Sequence, residues 1–183
     1  MKYLVIAAFS LFVSIQVMAQ KFPDLDASPA DIAMARSKDK SPLAKVVYSR
    51  PQKKGRVIFG ELEPYGKVWR TGANEATEIK FYKDVTFAGK PVKAGTYCLF
   101  TIPEKDKWTI ILNTELDQWG AYSYKKEKDV LRIDVTPKKT DSAVEAFSIM
   151  FKDGGDKGAD LLMAWDEVMI EVPILVAAPV KKK

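Results

Sequence analysis

Through most of this chain, apolar residues recur at every second position, in short runs that stop at turn signals. That period constrains the fold more than any other feature. Side chains on an extended strand alternate between faces, so such a run buries one face and wets the other, whereas a helix needs a period of 3.6. In "TEIKFY" Ile79 and Phe81 share one face, with Glu78, Lys80 and Tyr82 on the other. "DVLRIDVTP" sends Leu131, Ile133 and Val135 inward and Arg132 and Asp134 outward, and "VEAFSIMF" groups Phe147, Ile149 and Phe151. "AKVVYSRP", "GRVIFG", "GTYCLFTIP", "KWTIILN" and "LLMAWDEVMIEVPI" add further strands, the last supplying a pair, and "VTFAGKPV" reads as a hairpin turning at Ala88-Gly89-Lys90. The pattern predicts an all-β fold: a single antiparallel β-sandwich, jelly-roll or immunoglobulin-like, of about nine or ten strands over residues 41–176.

The ends of the chain read differently. Residues 1–19 carry Lys2, an apolar run from Tyr3 to Val13 and a close on Val17-Met18-Ala19, the pattern of a secretory signal peptide cleaved after Ala19. A retained membrane anchor fits less well, because Ser10, Ser14 and Gln16 interrupt the apolar character. Export to the periplasm or the cell exterior is therefore expected, with no membrane span after cleavage. Residues 20–40 read as a flexible N-terminal arm or linker, with room for one short helix in "SPADIAMARSK", capped by Ser28 with Pro29 in its first turn. Residues 177–183 read as a disordered basic tail.

Composition removes several chemistries. The chain has no histidine, which excludes Ser-His-Asp and Cys-His catalysis and the common zinc sites. Its one cysteine, Cys98, lies in the apolar run "GTYCLFTI" and reads as a small buried hydrophobe. The net charge is +5, but Lys2 and the three terminal lysines are four of the 29 basic residues, leaving 25 against 24 acidic ones. A nearly neutral body offers no basic face for nucleic acid. Nothing in the sequence implies a cofactor. "DGGDKGAD", residues 153–160, lacks the spacing of a calcium loop and reads as a Gly-rich hairpin turn.

The stretch "PYGKVWRTGANEATEIKF", residues 64–81, concentrates polar chemistry between turn signals and a strand. Pro64-Tyr65-Gly66 marks a turn, Gly72 breaks the run, and Asn74 tolerates a left-handed backbone. Two roles compete for it. As a binding corner, Trp69 would stack on a ligand, Arg70 would hold an anionic or hydroxyl-bearing group, and Asn74 and Glu75 would orient it. As a structural corner, Arg70 and Glu75 would simply pair. A second cluster, "LDQWGAYSY", holds Asp117, Gln118, Trp119, Tyr122 and Tyr124, a make-up shared by carbohydrate-contacting surfaces and ordinary sandwich edges. Glu61, Glu63, Glu75 and Asp117 are loop carboxylates that a hydrolase would use in pairs.

"YSRPQKKGRVIFGELEPYGKVWRTGANEATEIKF", "AGTYCLFTIPEKDKWTIILN", "QWGAYSY" and "DVLRIDVTP" together are similar to an exported bacterial family, domain-of-unknown-function family 2911. The resemblance spans roughly residues 40–174 and is most specific at "YGKVWRTGANEAT". It implies a single secreted or periplasmic β domain and carries no catalytic mechanism. The matching residues are Arg50, Pro51, Gly55, Arg56, Trp69, Arg70, Gly72, Asn74, Glu75, Gly95, Tyr97, Trp119 and Gly120. Arg50 and Arg56 are then expected to converge with Arg70 as anion-facing donors. The resulting expectation is a non-enzymatic domain binding a small polar, sugar-like or acidic ligand through Trp69, Arg70, Asn74, Glu75, Arg50, Arg56 and Trp119. A carboxylate-dependent hydrolase and a structural or assembly component of the cell envelope are the alternatives.

Overall fold

A computed structural model of the chain describes residues 20–177; the expected signal segment and the lysine tail lie outside them. Ten strands occur among the described residues: β1 (Ala30–Arg36), β2 (Pro42–Ser49), β3 (Glu78–Phe81), β4 (Val85–Phe87), β5 (Lys90–Val92), β6 (Gly95–Pro103), β7 (Trp108–Asn113), β8 (Asp129–Val135), β9 (Lys138–Asp153) and β10 (Gly158–Val176). They form two antiparallel sheets, ordered β1-β2-β3-β6-β7-β8 and β5-β4-β10-β9. The chain meanders across the first sheet, leaves it after β3 for the β4–β5 hairpin, and returns at β6. Ala88 and Gly89, both at positive φ, make that hairpin turn where the sequence places it.

The period-two pattern builds the core. Ile79, Phe81, Leu99, Ile110 and Leu112 from the first sheet pack against Phe147, Ile149, Leu161, Met163, Val172 and Ile174 from the second. Leu131, Ile133 and Val135 of β8 face the same core, as their alternation requires. A smaller core lies on the outer face of the first sheet, where Ala76, Cys98, Phe100 and Ile111 are covered by Leu116, Ala121 and Tyr124 of loop 114–125. Burial, helped by the charge of Glu78, pushes the Cys98 thiol up to about 12, so it stays protonated and inert.

Three local readings are corrected. Residues 30–36, expected within a flexible arm or short helix, form the edge strand β1, and Ser28 caps no helix: its N–H donates to Asp26 Oδ1. Only small or polar side chains, Asp31, Ala33 and Ala35, point inward, which hides the alternation. "GRVIFG" forms no strand, because Gly55 and Gly60 both take positive φ and bend it into a loop that buries Ile58. The "last pair of strands" is the single strand β10, whose buried positions are odd-numbered from Ala159 to Trp165 and even-numbered from Ile170. The phase changes across irregular pairing around Asp166, which sits at φ 54°. The strand bends enough that Gly158 at its start lies against the backbone of Ile174 near its end.

Arg50 joins the two sheets. From the end of β2 its guanidinium bonds Asp31 Oδ2 of β1 at 3.1 Å, and Phe147 O and Ser148 Oγ of β9 at 3.2 and 2.8 Å. The neighbouring Tyr48 hydroxyl donates to Ile149 O and accepts from Ile149 N. Two predictions follow from this framework. A Cβ on Gly158 would fall 1.8 Å from Ile174 O, so Gly158→Ala should cost more than about 4 kcal/mol in urea unfolding, whereas Gly155→Ala, with open space and only a positive φ to strain, should cost about 1 kcal/mol. Arg50→Ala should cost about 1–2 kcal/mol, since its ion pair is partly exposed but its removal takes away the charged donor to Phe147 O and Ser148 Oγ.

Candidate functional site

Most of the segment from Trp69 to Thr77 is interior. Trp69 is 3% exposed. Its ring is enclosed by Phe59, Trp108, Phe147 and Trp165 at centroid distances of 5.1–6.2 Å, and its Nε1–H donates to Gly72 O. The segment is sewn to β6 by backbone bonds between Trp69 and Thr101 in both directions, and by Leu99 N–H donating to Thr77 O. Thr71, Thr77 and Thr101 are fully buried, yet their hydroxyls are satisfied: Thr77 Oγ1 donates to Thr71 O at 2.6 Å, and Thr71 Oγ1 meets Thr101 Oγ1 at 3.1 Å. Thr71 adopts φ 58°, an outlier for a β-branched residue that persists because these contacts over-determine it. Gly72 is crowded, since a Cβ there would lie 3.0 Å from Ser49 O and 3.1 Å from Thr77 Oγ1.

The expected site residues therefore part company. Trp69 is a core residue and offers no stacking face. Arg50 is committed to the inter-sheet clasp, so it does not converge with Arg70. Asn74 takes the left-handed backbone expected of it, at φ 57°, and its amide donates to Asp26 Oδ1, tying down the segment before β1. Arg70 and Glu75 form no ion pair: Glu75 is exposed and lines a separate groove with Glu78 and Asp117. Arg56 holds the carbonyls of Lys53 and Gln52. Trp119 pairs through its backbone with Glu75 and leaves its ring in solvent, 62% exposed.

What does come together is Arg70, Glu63 and the 119–122 loop. An open groove of about 380 Å³ is lined by Leu62, Glu63, Val68, Trp69, Arg70, Ala121 and Tyr122. Gly120 turns at φ 70°, and a Cβ there would collide with both Arg70 Nη1 and the Tyr122 ring, so the glycine lets the loop close over the guanidinium. Tyr122 is 84% exposed. Glu63 is half-buried, and among the described residues its carboxylate makes no direct ion pair or side-chain hydrogen bond. Burial raises its pKa to about 7 against the opposing pull of Arg70 and then Arg56. Two of the three expected arginines thus bear on one carboxyl group. Glu63 stood out in the sequence only as one loop carboxylate among four, and Tyr122 only as a member of the second aromatic cluster.

The raised pKa sets a pH dependence. An unfolded chain loses this proton near 4.5 and the folded protein near 7, so the stabilising proton is held in full below 4.5 and lost as pH rises through 7. The loss amounts to at most about 3 kcal/mol. Glu63→Gln should match the parent at pH 4.5 and exceed it by about 1–3 kcal/mol at pH 8, read by urea unfolding across that range. Equal stability at pH 8 would mean that the carboxyl is well solvated.

Among the described residues no helix is long and apolar enough to cross a membrane. No curated protein and no solved structure matches the chain. Residues 28–174 match a family described as a protein of unknown function, DUF2911. That span takes in both sheets up to the final residues of β10, together with every residue of the Arg70 groove, and on it the chain belongs to the DUF2911 family.

Proposed function

We propose that the protein is a non-enzymatic binding domain that takes a small polar ligand, sugar-like or acidic, in the groove between Glu63, Arg70 and Tyr122. The observation that carries this reading is Glu63. A half-buried carboxyl without a direct partner, sharing a groove with the Arg70 guanidinium and under the electrostatic pull of Arg56, is an arrangement that a folding core gains nothing from. The flat apolar face needed by a sugar or a planar acid comes from Tyr122, with Trp119 next to the turn at Gly120. Arg70 presents its donor fork to a carboxylate or a pair of hydroxyls. Glu63 completes the site as a hydrogen-bond donor when protonated and an acceptor when ionised. The signal-like N-terminus supports a place outside the cytoplasm, in the periplasm or at the cell exterior.

A carboxylate-driven hydrolase would also use an acid titrating near 7. In this groove it would need a second carboxylate across from Glu63, which is the one acid in the lining; Glu75, Glu78 and Asp117 gather in the other groove, away from Glu63. The binding reading is therefore favoured. The buried half of the segment, from Trp69 through Thr77, serves the fold, and the ligand role falls to what projects from it.

Thermal unfolding of the chain from Gln20 onward, against neutral sugars, sugar acids and small carboxylates, tests the assignment. A ligand at about one hundred times its Kd adds about 2.7 kcal/mol, or roughly 5–11 °C in Tm for a domain of this size. Arg70→Gln and Tyr122→Ala should abolish the rise, and Glu75→Gln, in the other groove, should leave it intact. No rise with any probe, or one that survives Arg70→Gln, would reject this groove.

A further inference from the structure

Loop 114–125 covers the outer face of the first sheet over β6 and β7 and leaves the β1–β3 portion bare. Register places Ile32 opposite Val47 and Val47 opposite Glu78 in one row, and Met34 opposite Lys45 and Lys45 opposite Lys80 in the next. Ile32 is 61% exposed and Met34 and Val47 are each 38% exposed, an apolar patch running from the edge strand β1 to Val47 on β2. At one end a groove of about 250 Å³ collects Glu75, Glu78 and Asp117 around Ala30 and Val47. At the other a groove of about 190 Å³ is lined by Lys45, Lys80 and Thr96 as well as by Val47 and Glu78. Among the described residues none of these five charges is ion-paired within the chain; Lys80 rests over the Tyr82 ring instead. Lys45 and Lys80 sit directly opposite each other, a like-charge pair that costs a lone chain stability.

An acidic end, an apolar patch and a basic end on one face form a self-complementary surface. A two-fold rotation lays the acidic end of one copy on the basic end of another and brings the apolar patches together. We propose that this face is a homodimer interface, in which Ile32, Met34 and Val47 pack against their counterparts and Lys45 and Lys80 of each copy answer Glu75, Glu78 and Asp117 of the other. This surface is distinct from the Glu63 groove, and the proposal does not depend on ligand binding there. The charges act mainly on specificity and salt dependence, and the apolar contact carries the affinity.

Sedimentation velocity of the chain from Gln20 onward, over about 2 to 200 µM, tests this. A monomer–dimer equilibrium is expected, weakened by high salt and removed by Val47→Glu. The stronger test is a charge exchange. A variant with Glu75→Lys and Glu78→Lys should be monomeric, and so should one with Lys45→Glu and Lys80→Glu, while an equimolar mixture of the two should form a heterodimer. Cooperative unfolding of each variant alone shows that loss of the dimer is not loss of the fold. A chain that stays monomeric at the highest concentration, or a dimer that both charge sets leave unchanged, overturns the proposal.

Discussion

The burial of Trp69 is the contact on which the rest of the molecule depends. Its ring meets Trp108 from the first sheet and Phe147 and Trp165 from the second, with Phe59 of the 55–67 loop closing the cluster. Aromatic pairs at these separations contribute about 0.5–1.5 kcal/mol each beyond the area they bury. With the indole pinned there, the chain has to cross the end of the first sheet in a tight interior turn. Thr71 is driven to positive φ, Gly72 slides past Ser49, the hydroxyls of Thr71 and Thr101 bond each other, and that of Thr77 donates to Thr71 O. An interior turn of this kind is tolerated only because each buried polar atom finds a partner.

That anchoring decides where the polar side chains go. Arg70 leaves the turn on the side of the 119–122 loop, and Glu75 leaves it on the side of β2 and β3. One stretch of sequence thus supplies a core aromatic, a groove cation and a distant surface carboxylate. The groove inherits its rigidity from the buried turn, which holds Arg70 without a flexible support. Glu63 is carried on a different loop, itself fixed by Phe59 in the aromatic cluster. Placing a carboxyl in that partly dry position lowers stability at neutral pH, a cost consistent with a site held ready for a ligand.

The fold was legible where alternation was strong. β3, β8 and β9 show the faces their sequences assign, because large apolar residues mark the buried positions. β1 was missed because Ala33 and Ala35 fill the inward positions and leave Ile32 and Met34 outside, inverting the usual pattern. The corner residues were legible as a group but not in their roles. An indole reads the same whether it stacks on a ligand or on four other rings, and three of those rings come from strands 39 to 96 residues away in the chain. Arg50 looked like an anion donor for the same reason, since its partner Ser148 lies on the far sheet. Glu63 could not be singled out at all, because half-burial under the pull of Arg70 and Arg56 is a property of the assembled loops.

The most direct measurement is a pH titration of the Glu63 side-chain carboxyl carbon by NMR, assigned by comparison with Glu63→Gln. A midpoint near 7 would establish a proton-holding carboxyl under the pull of Arg70 and Arg56, the feature on which the proposed binding role of the groove rests. A midpoint near 4.5 would show an ordinary solvated glutamate, and the groove would then be a surface feature of a corner whose task is to hold the fold together.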